Sequence, residues 1–335
     1  VEENVMSLSK KDFLSIADYE RGEIEAIIAL AVDQKARLRV GPLPQTHVGK
    51  TLACIFHKPS LRTRVSFEVA MHQLGGNALY LTDAEIGMGS REAPQDVARV
   101  LSRYVSAIMI RTFDHGMVEA LAKHASVPVI NGLTDLLHPC QILADLMTIQ
   151  EHRGNLDDLT VTFIGDGNNV ARSWINAAAK LRFRFILACP EGYGIDPSFV
   201  DRARAIEFYT ETSDPRQAVA GADVLYTDVW ASMGQEREAE KRKRDFAGFQ
   251  LNEDLLGRSS GDAIVLHCLP AHRGEEITDG ALESPRSRVF DQAENRLHVQ
   301  RALLSLLIRP AAGRPAAGRP AAGRPAGGRP AGGRG

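Results

Sequence analysis

Short apolar runs rich in β-branched residues recur along the chain, separated by stretches in which apolar positions return every three or four residues. The runs are "TLACIF" (51–56), "NALYL" (77–81), "SAIMI" (106–110) and "VPVI" (127–130), then "LTVTFIG" (159–165), "RFILAC" (184–189), "DVLYT" (223–227) and "AIVLHC" (263–268). Such short unbroken runs predict strands buried on both faces. Helical spacing marks "QDVARVLSRY" (95–104), "MVEALAKHA" (117–125), "CQILADLMTIQEHRG" (140–154) and "ENRLHVQRALLSLLI" (294–308). The alternation predicts an α/β protein of two doubly wound parallel-sheet domains with the site in the cleft between them. Residues 1–148 should form the first domain and 149–293 the second, with the segment 294–308 packing back across the first. The charged stretch "SMGQEREAEKRKRDFAGF" (232–249) shows no core stripe and reads as a mobile excursion.

Composition narrows the class. With 335 residues, 44% of them hydrophobic and 24% charged, the chain can bury two ordinary cores. The formal net charge of −2 conceals an asymmetry, because residues 309–335 carry six arginines and no acid. That five-residue Arg-Pro repeat lacks large apolar groups, which predicts a disordered tail. An arm for polyanions is the sharper alternative for it. The acidic remainder argues against a nucleic-acid-binding core. No apolar stretch approaches a membrane span, and the acidic "VEENV" start does not read as a secretory signal. The four cysteines (54, 140, 189, 268) show neither metal-ligand spacing nor a disulfide-dense pattern. A reducing compartment is expected, cytoplasm or organelle matrix, and no metal.

Candidate chemistry collects where strands end. After the first run comes "KPSLRTR" (58–64) and then a stretch that spaces Leu61, Val65, Val69 and Leu74 as one helix face before Gly75 and Gly76. Ser60 is the expected N-cap, which leaves the amides of Leu61, Arg62 and Thr63 as donors in a first turn. With Lys58, Arg62 and Arg64 nearby, this turn suits a phosphate, although solvated arginines around an ordinary cap would read the same way. Arg111 follows "SAIMI", "HPCQ" (138–141) lies shortly after "VPVI", "GDGNN" (165–169) follows "LTVTFI", Asp228 follows "DVLYT", and "HCLP" (267–270) ends "AIVL". Open parallel sheets bind ligands at that edge. His138 could merely be a polar cap before Pro139, and Cys54 and Cys140 read as packing. "GDGNNV" lacks the third glycine of a dinucleotide fingerprint, having Val170 in its place, so no nucleotide cofactor is expected.

The motifs "SLRTR", Arg111, "HPCQ", "GDGNNV", "DVWASMGQE", "HCLPAHRG" and "AENRLH" occur in the order found in ornithine carbamoyltransferases, and the chain resembles that family from residue 50 to 308. One departure is Leu61, where many members have Thr; the position mainly offers a backbone amide. The resemblance implies a carbamoyl phosphate domain and an amino-acid domain, a homotrimer or a multiple of it, and no cofactor. It implies that the amine of L-ornithine attacks carbamoyl phosphate directly, giving citrulline in arginine biosynthesis or running in reverse in arginine breakdown. Ser60, Leu61, Arg62 and Thr63 would hold phosphate, and Arg111 would bridge phosphate and carbonyl oxygen. His138, Gln141 and the Leu269 backbone would orient the carbamoyl group, with Arg296 closing the site. Asn169, Asp228, Ser232 and Met233 would bind ornithine, and Cys268 with Asp228 would position its side-chain amine. The catalytic set implied is thus Cys268, Asp228, Arg111 and His138. Rival readings are a Cys268 thiolate nucleophile, another acceptor such as putrescine or an N-acylated ornithine, and a non-catalytic relative.

Overall fold

The computed structural model describes residues 8–232 and 234–310. Met233 and the repeat from residue 311 onward, including the expectation of a disordered tail, lie outside the described residues. Two parallel sheets organise the chain. The first contains β1 (Thr51–Phe56), β2 (Asn77–Thr82), β3 (Ala107–Arg111) and β4 (Val129–Leu133) in the order β2-β1-β3-β4. The second contains β5 (Thr160–Ile164), β6 (Arg184–Ala188), β7 (Tyr209–Thr212), β8 (Val224–Thr227) and β9 (Ile264–His267) in the order β7-β6-β5-β8-β9. Every strand pairing is parallel, with Cys54 level with Tyr80 and Met109, and Phe163 level with Leu187 and Tyr226. Both sheets reverse strand order beside their first strand, so the loops after β1, β3, β5 and β8 open at the switch points.

The predicted apolar runs became eight of these strands. β7, "YTET", has no apolar run because it is a half-exposed sheet edge. A helix Arg21–Leu38 precedes β1 and buries Ile24, Ile27, Ile28 and Ala31, the spacing of a single helix face. The helix Pro139–Arg153 runs from the first sheet to the second, and the C-terminal helix Val289–Leu307 packs on it and on the helices 21–38 and 61–73.

Two local expectations fail. On the helix Leu61–Gln73 the buried face is Thr63, Ser66, Phe67, Ala70 and Met71, while Leu61 is 75% and Val65 47% exposed. The inward face lies two residues along from the one suggested by Leu61 and Val65, more than half a turn. Its first turn packs polar groups inward because those groups line the cleft. The 232–249 excursion, expected to lack a core stripe, is a docked element containing a helix Ala239–Asp245. Its inward positions are Arg242, Phe246 and Phe249, all buried. Phe246 stacks on Trp230 at 5.9 Å and meets Tyr193 edge-on at 4.7 Å. A guanidinium heading the stripe makes it look solvated in the sequence.

Candidate active site

The carboxyl edges of both sheets open into one cleft of about 1060 Å³. At its first-sheet end, Ser60 caps the helix as expected, its Oγ accepting from the Thr63 amide at 3.3 Å. The Arg64 amide reaches the Ser60 carbonyl at 3.2 Å, so the Leu61 and Arg62 amides are the open donors of the turn. Arg62 Nη2 donates across the cleft to the Leu269 carbonyl at 2.6 Å. Arg111, at the end of β3, donates to Thr63 Oγ1 at 3.3 Å. Arg296, on the C-terminal helix, donates to the same oxygen at 3.2 Å and to Gln141 Oε1 at 2.7 Å.

These three guanidinium groups face one another with no carboxylate within ion-pair distance among the described residues. Burial, then Arg296 and Arg62, pull Arg111 down to about 10. Burial also lowers Arg296. His138 is buried beside them, and burial followed by Arg296, Arg111 and Arg62 holds its imidazole well below its ordinary value, hence neutral. His138 Nδ1 and Arg111 Nε are buried without a hydrogen-bond partner. Uncompensated cations and orphaned donors at a helix N-terminus are the electrostatic image of a small multivalent anion. Two other cations of "KPSLRTR" are spoken for. Lys58 pairs with Asp135, and Arg64 turns out of the cleft to Glu68 at 2.9 Å and the Tyr80 ring.

At the second-sheet end the polar groups already have partners. Asp228, just past β8, accepts from Cys268 Sγ at 3.0 Å, from the Val229 amide at 2.8 Å and from Asn168 Nδ2 at 2.8 Å. Asn168 also caps the helix Asn169–Leu181 through the Val170 and Ala171 amides. Asn169 Nδ2 donates to the Thr134 carbonyl at 2.6 Å, and Ser232 donates its amide to Gln235 Oε1 at 3.0 Å. Burial, then Asp228, push the Cys268 thiol far above its usual value. The adjacent His267 cannot act as its base. Its Nε2 faces Glu276 Oε1 at 3.0 Å, and its Nδ1 accepts from the Leu269 amide at 2.9 Å. Leu269 is thereby held at φ +56°, a left-handed position unusual for a leucine.

The structure therefore gathers Ser60, Leu61, Arg62, Thr63, Arg111, His138, Asn169, Asp228, Ser232, Cys268, Leu269 and Arg296 around one cleft. Gln141 lies just behind, on Arg296 and on Asp145, whose carboxyl burial pushes up to about 7. Met233 lies outside the described residues. Sequence reasoning missed the residues that brace the site. Arg242 binds Asp166 Oδ2 at 3.0 Å and the Trp230 carbonyl at 2.9 Å, tying the excursion to the loop after β5. Gln292 donates to Asp145 at 2.7 Å and accepts from the His267 amide at 2.9 Å, joining the two ends of the cleft. Asp166 was legible inside "GDGNN"; Arg242 and Gln292 carry no motif signal.

A cleft with unpaired guanidinium groups at one end and a hydrogen-bonded carboxylate and thiol at the other is that of an enzyme transferring a group from a phosphorylated donor. Residues 11–151 match the family described as aspartate/ornithine carbamoyltransferase, carbamoyl-P binding domain, and residues 157–307 match its Asp/Orn binding domain. The chain is 56% identical over 301 residues to an ornithine carbamoyltransferase of Syntrophus aciditrophicus, covering 89% of this chain and 100% of that protein. It is 51% identical over 309 residues to an anabolic ornithine carbamoyltransferase of Pyrococcus furiosus, covering 91% and 98%. The solved structure of ornithine carbamoyltransferase from Pyrococcus furiosus superposes with a TM-score of 0.87 at 52% identity, covering 91% of this chain and 99% of that one. The Thermus thermophilus enzyme superposes at 0.81 with 47% identity, covering 89% and 99%. The chain belongs to the aspartate/ornithine carbamoyltransferase family.

Proposed function

We infer that this protein transfers the carbamoyl group of carbamoyl phosphate to the side-chain amine of L-ornithine, releasing L-citrulline and phosphate. The observation that carries the reading is the trio Arg62, Arg111 and Arg296, unpaired at a capped helix N-terminus and facing Asp228 and Cys268 across the cleft. In this reading the Ser60–Thr63 turn and Arg62 take the phosphate, with Arg111 between phosphate and carbonyl oxygen. The neutral imidazole of His138 and the Gln141 amide orient the carbamoyl group, and Arg296 seals the wall behind. The amine nitrogen attacks the carbamoyl carbon as the bond to the phosphate oxygen breaks, and the amine proton leaves with the phosphate. Fixed donors aimed at the developing negative oxygen supply the main acceleration.

At the other end Asn169, Ser232 and Met233 take the α-groups of ornithine, while Asp228 and Cys268 aim the side-chain amine. A covalent role for Cys268 is disfavoured, because His267 is committed to Glu276 and the Leu269 amide, and burial together with the negative charge of Asp228 opposes the thiolate. We read residues 1–148, completed by 294–308, as the carbamoyl phosphate unit and residues 149–293 as the ornithine unit. A homotrimer, or a multiple of it, is our assembly reading. It is supported by exposed Leu61, Val65 and Leu79 beside the outer strand β2, and light scattering tests it. No described helix is long and apolar enough to cross a membrane. We assign the reaction to the cytoplasm, with an organelle matrix as the alternative that cell fractionation would reveal.

The deciding experiment is citrulline formation from carbamoyl phosphate and ornithine, run beside putrescine and N-acetylornithine as acceptors. Citrulline as the dominant product is expected; preference for either other amine would overturn the substrate assignment.

A further inference from the structure

We propose that His272, Glu275 and Glu276 form a divalent-cation site on the outer side of the loop after β9, suited to a first-row transition ion such as Zn²⁺. The starting point is Glu276, which is 0% exposed. Its Oε1 accepts from His267 Nε2 at 3.0 Å and from the His272 amide at 2.6 Å. Its Oε2 is buried with no hydrogen-bond partner, a costly state for a carboxylate oxygen. That oxygen lies 4.0 Å from His272 Nδ1, and Glu275 Oε2 lies 3.9 Å from the same nitrogen. These separations are too long for hydrogen bonds, so a protonated His272 in this position leaves the orphan unsatisfied.

They suit an ion better. A tetrahedral zinc with bonds of about 2.0–2.1 Å holds its ligand atoms roughly 3.3 Å apart. These two separations need to close by about 0.6–0.7 Å on that scale. All three candidate ligand atoms lie within 4.8 Å of one another, and the His272 side chain is 51% exposed, free to adjust. One imidazole nitrogen with two carboxylate oxygens is a borderline donor set that favours zinc and its neighbours over magnesium or calcium. A hollow of about 230 Å³ opens beside His272 and Glu275, walled also by Trp230, Ala239 and Lys243. It offers an entry path and room for water to complete the coordination. Lys243 Nζ sits 2.9 Å from Glu275 Oε1, so it competes with the ion for that carboxylate without blocking Oε2.

The ion would bind behind Glu276, whose other oxygen orients His267 and through it the Leu269 amide. A bound ion would therefore stiffen the loop that carries Cys268 and Leu269 and bring it closer to the 239–245 helix.

Calorimetry with ZnCl₂ on the full chain tests this in a Cys268→Ser background, which removes the competing cluster of Asp228, His267 and Cys268. One zinc per chain is expected. His272→Asn and Glu275→Gln should each weaken binding at least ~10-fold, with circular dichroism unchanged. Lys243→Met should tighten it, and a 100-fold excess of Mg²⁺ should not compete. The proposal is overturned by absence of binding, by affinity unchanged in both ligand variants, by equal competition from Mg²⁺, or by zinc anomalous scattering located elsewhere.

Discussion

The two ends of the cleft treat charge in opposite ways. At the first-sheet end burial and the neighbouring guanidinium groups lower the basicity of Arg111 and Arg296, Arg62 is one of those neighbours, and none of the three has an acid beside it. At the second-sheet end the acids are held before any substrate arrives, Asp228 by a thiol, an amide side chain and a backbone amide, and Asp166 by Arg242. One end stores repulsion that an anion relieves; the other is satisfied and must exchange partners to bind. The difference matches the ligands proposed for each end. A phosphate dianion is strongly hydrated and needs concentrated charge to leave water. An amino acid carries both signs and needs placement.

The sharpest way to break the comparison is Arg111→Met. If the stored repulsion is real, the empty variant should melt higher than the parent, because one of three confined cations is gone. It should also lose the thermal shift that carbamoyl phosphate gives the parent, and kcat/KM should fall by about 1000-fold. Scanning calorimetry with and without carbamoyl phosphate reads both effects; a variant less stable than the parent when empty would show that the arginines are not in conflict.

The next effect concerns order. Arg62 now donates to the Leu269 carbonyl, a group we assign to the carbamoyl nitrogen. Phosphate arriving first would draw Arg62 away and free that carbonyl. L-Norvaline, which is ornithine without its terminal amine, should therefore bind at least ~10-fold tighter once carbamoyl phosphate is present. Equal affinity for loaded and empty enzyme, by calorimetry, would count against the exchange.

Cys268→Ser separates placement from covalent catalysis. Serine keeps a small hydroxyl donor for Asp228 with altered length, so turnover should fall by about 10- to 100-fold and ornithine KM should rise. Mass spectrometry of the quenched parent enzyme should find no carbamoyl adduct on Cys268; an adduct would falsify direct attack.

How legible these ends were in the sequence follows from how each is built. The phosphate end uses a strand end, a cap and a first turn, which are local in the chain, so "KPSLRTR" announces both its structure and its chemistry. Even there, local reading misjudged side-chain direction. Leu61 and Val65 look like core and are exposed, while Thr63 points inward because it lines the cleft, and Ser66 is buried behind it with its hydroxyl donating to the Thr63 carbonyl. The ornithine end depends on a docked excursion whose anchor is a buried arginine. Charge density in "REAEKRKRD" reads as solvent, and only the fold supplies Asp166 and the Trp230 carbonyl to Arg242. The edge strand β7 escaped for a related reason: it buries too little to leave an apolar signature. The link between the ends, Gln292 to Asp145, spans 147 residues of sequence and was not readable at all.

Arg242 supplies the next prediction down in size. Arg242→Met keeps most of the stem packing but removes the hold on Asp166 and on the chain two residues before Ser232. Ornithine KM should rise by roughly 10-fold while carbamoyl phosphate KM stays unchanged, since only one wall moves. A fall in kcat with both KM values unchanged would place Arg242 in the chemistry instead.

The smallest effect probes the link beneath both ends. Asp145 is buried, with Oδ1 accepting from Gln141 at 2.8 Å and Gln292 at 2.7 Å while Oδ2 has no partner. Burial raises its folded pKa to about 7 from an ordinary 3.8, because the hydrogen bonds only partly offset lost hydration. The sign follows. A group with a raised folded pKa contributes its stabilisation fully below the unfolded value and loses it as pH rises through the folded one. The parent should therefore lose on the order of 1–4 kcal/mol between about pH 4 and pH 7 from this group, and little more above. Asp145→Asn keeps an acceptor for both glutamines, and with no charge to bury it should flatten that slope. Urea unfolding at pH 5 and pH 8, at one fixed protein concentration, measures it. The variant should compare better with the parent at pH 8 than at pH 5. An unchanged difference between the two pH values would mean that Asp145 stays ionised throughout, held by the positive field of Arg296, and the charge stored at the phosphate end would then reach one layer deeper than the arginines themselves.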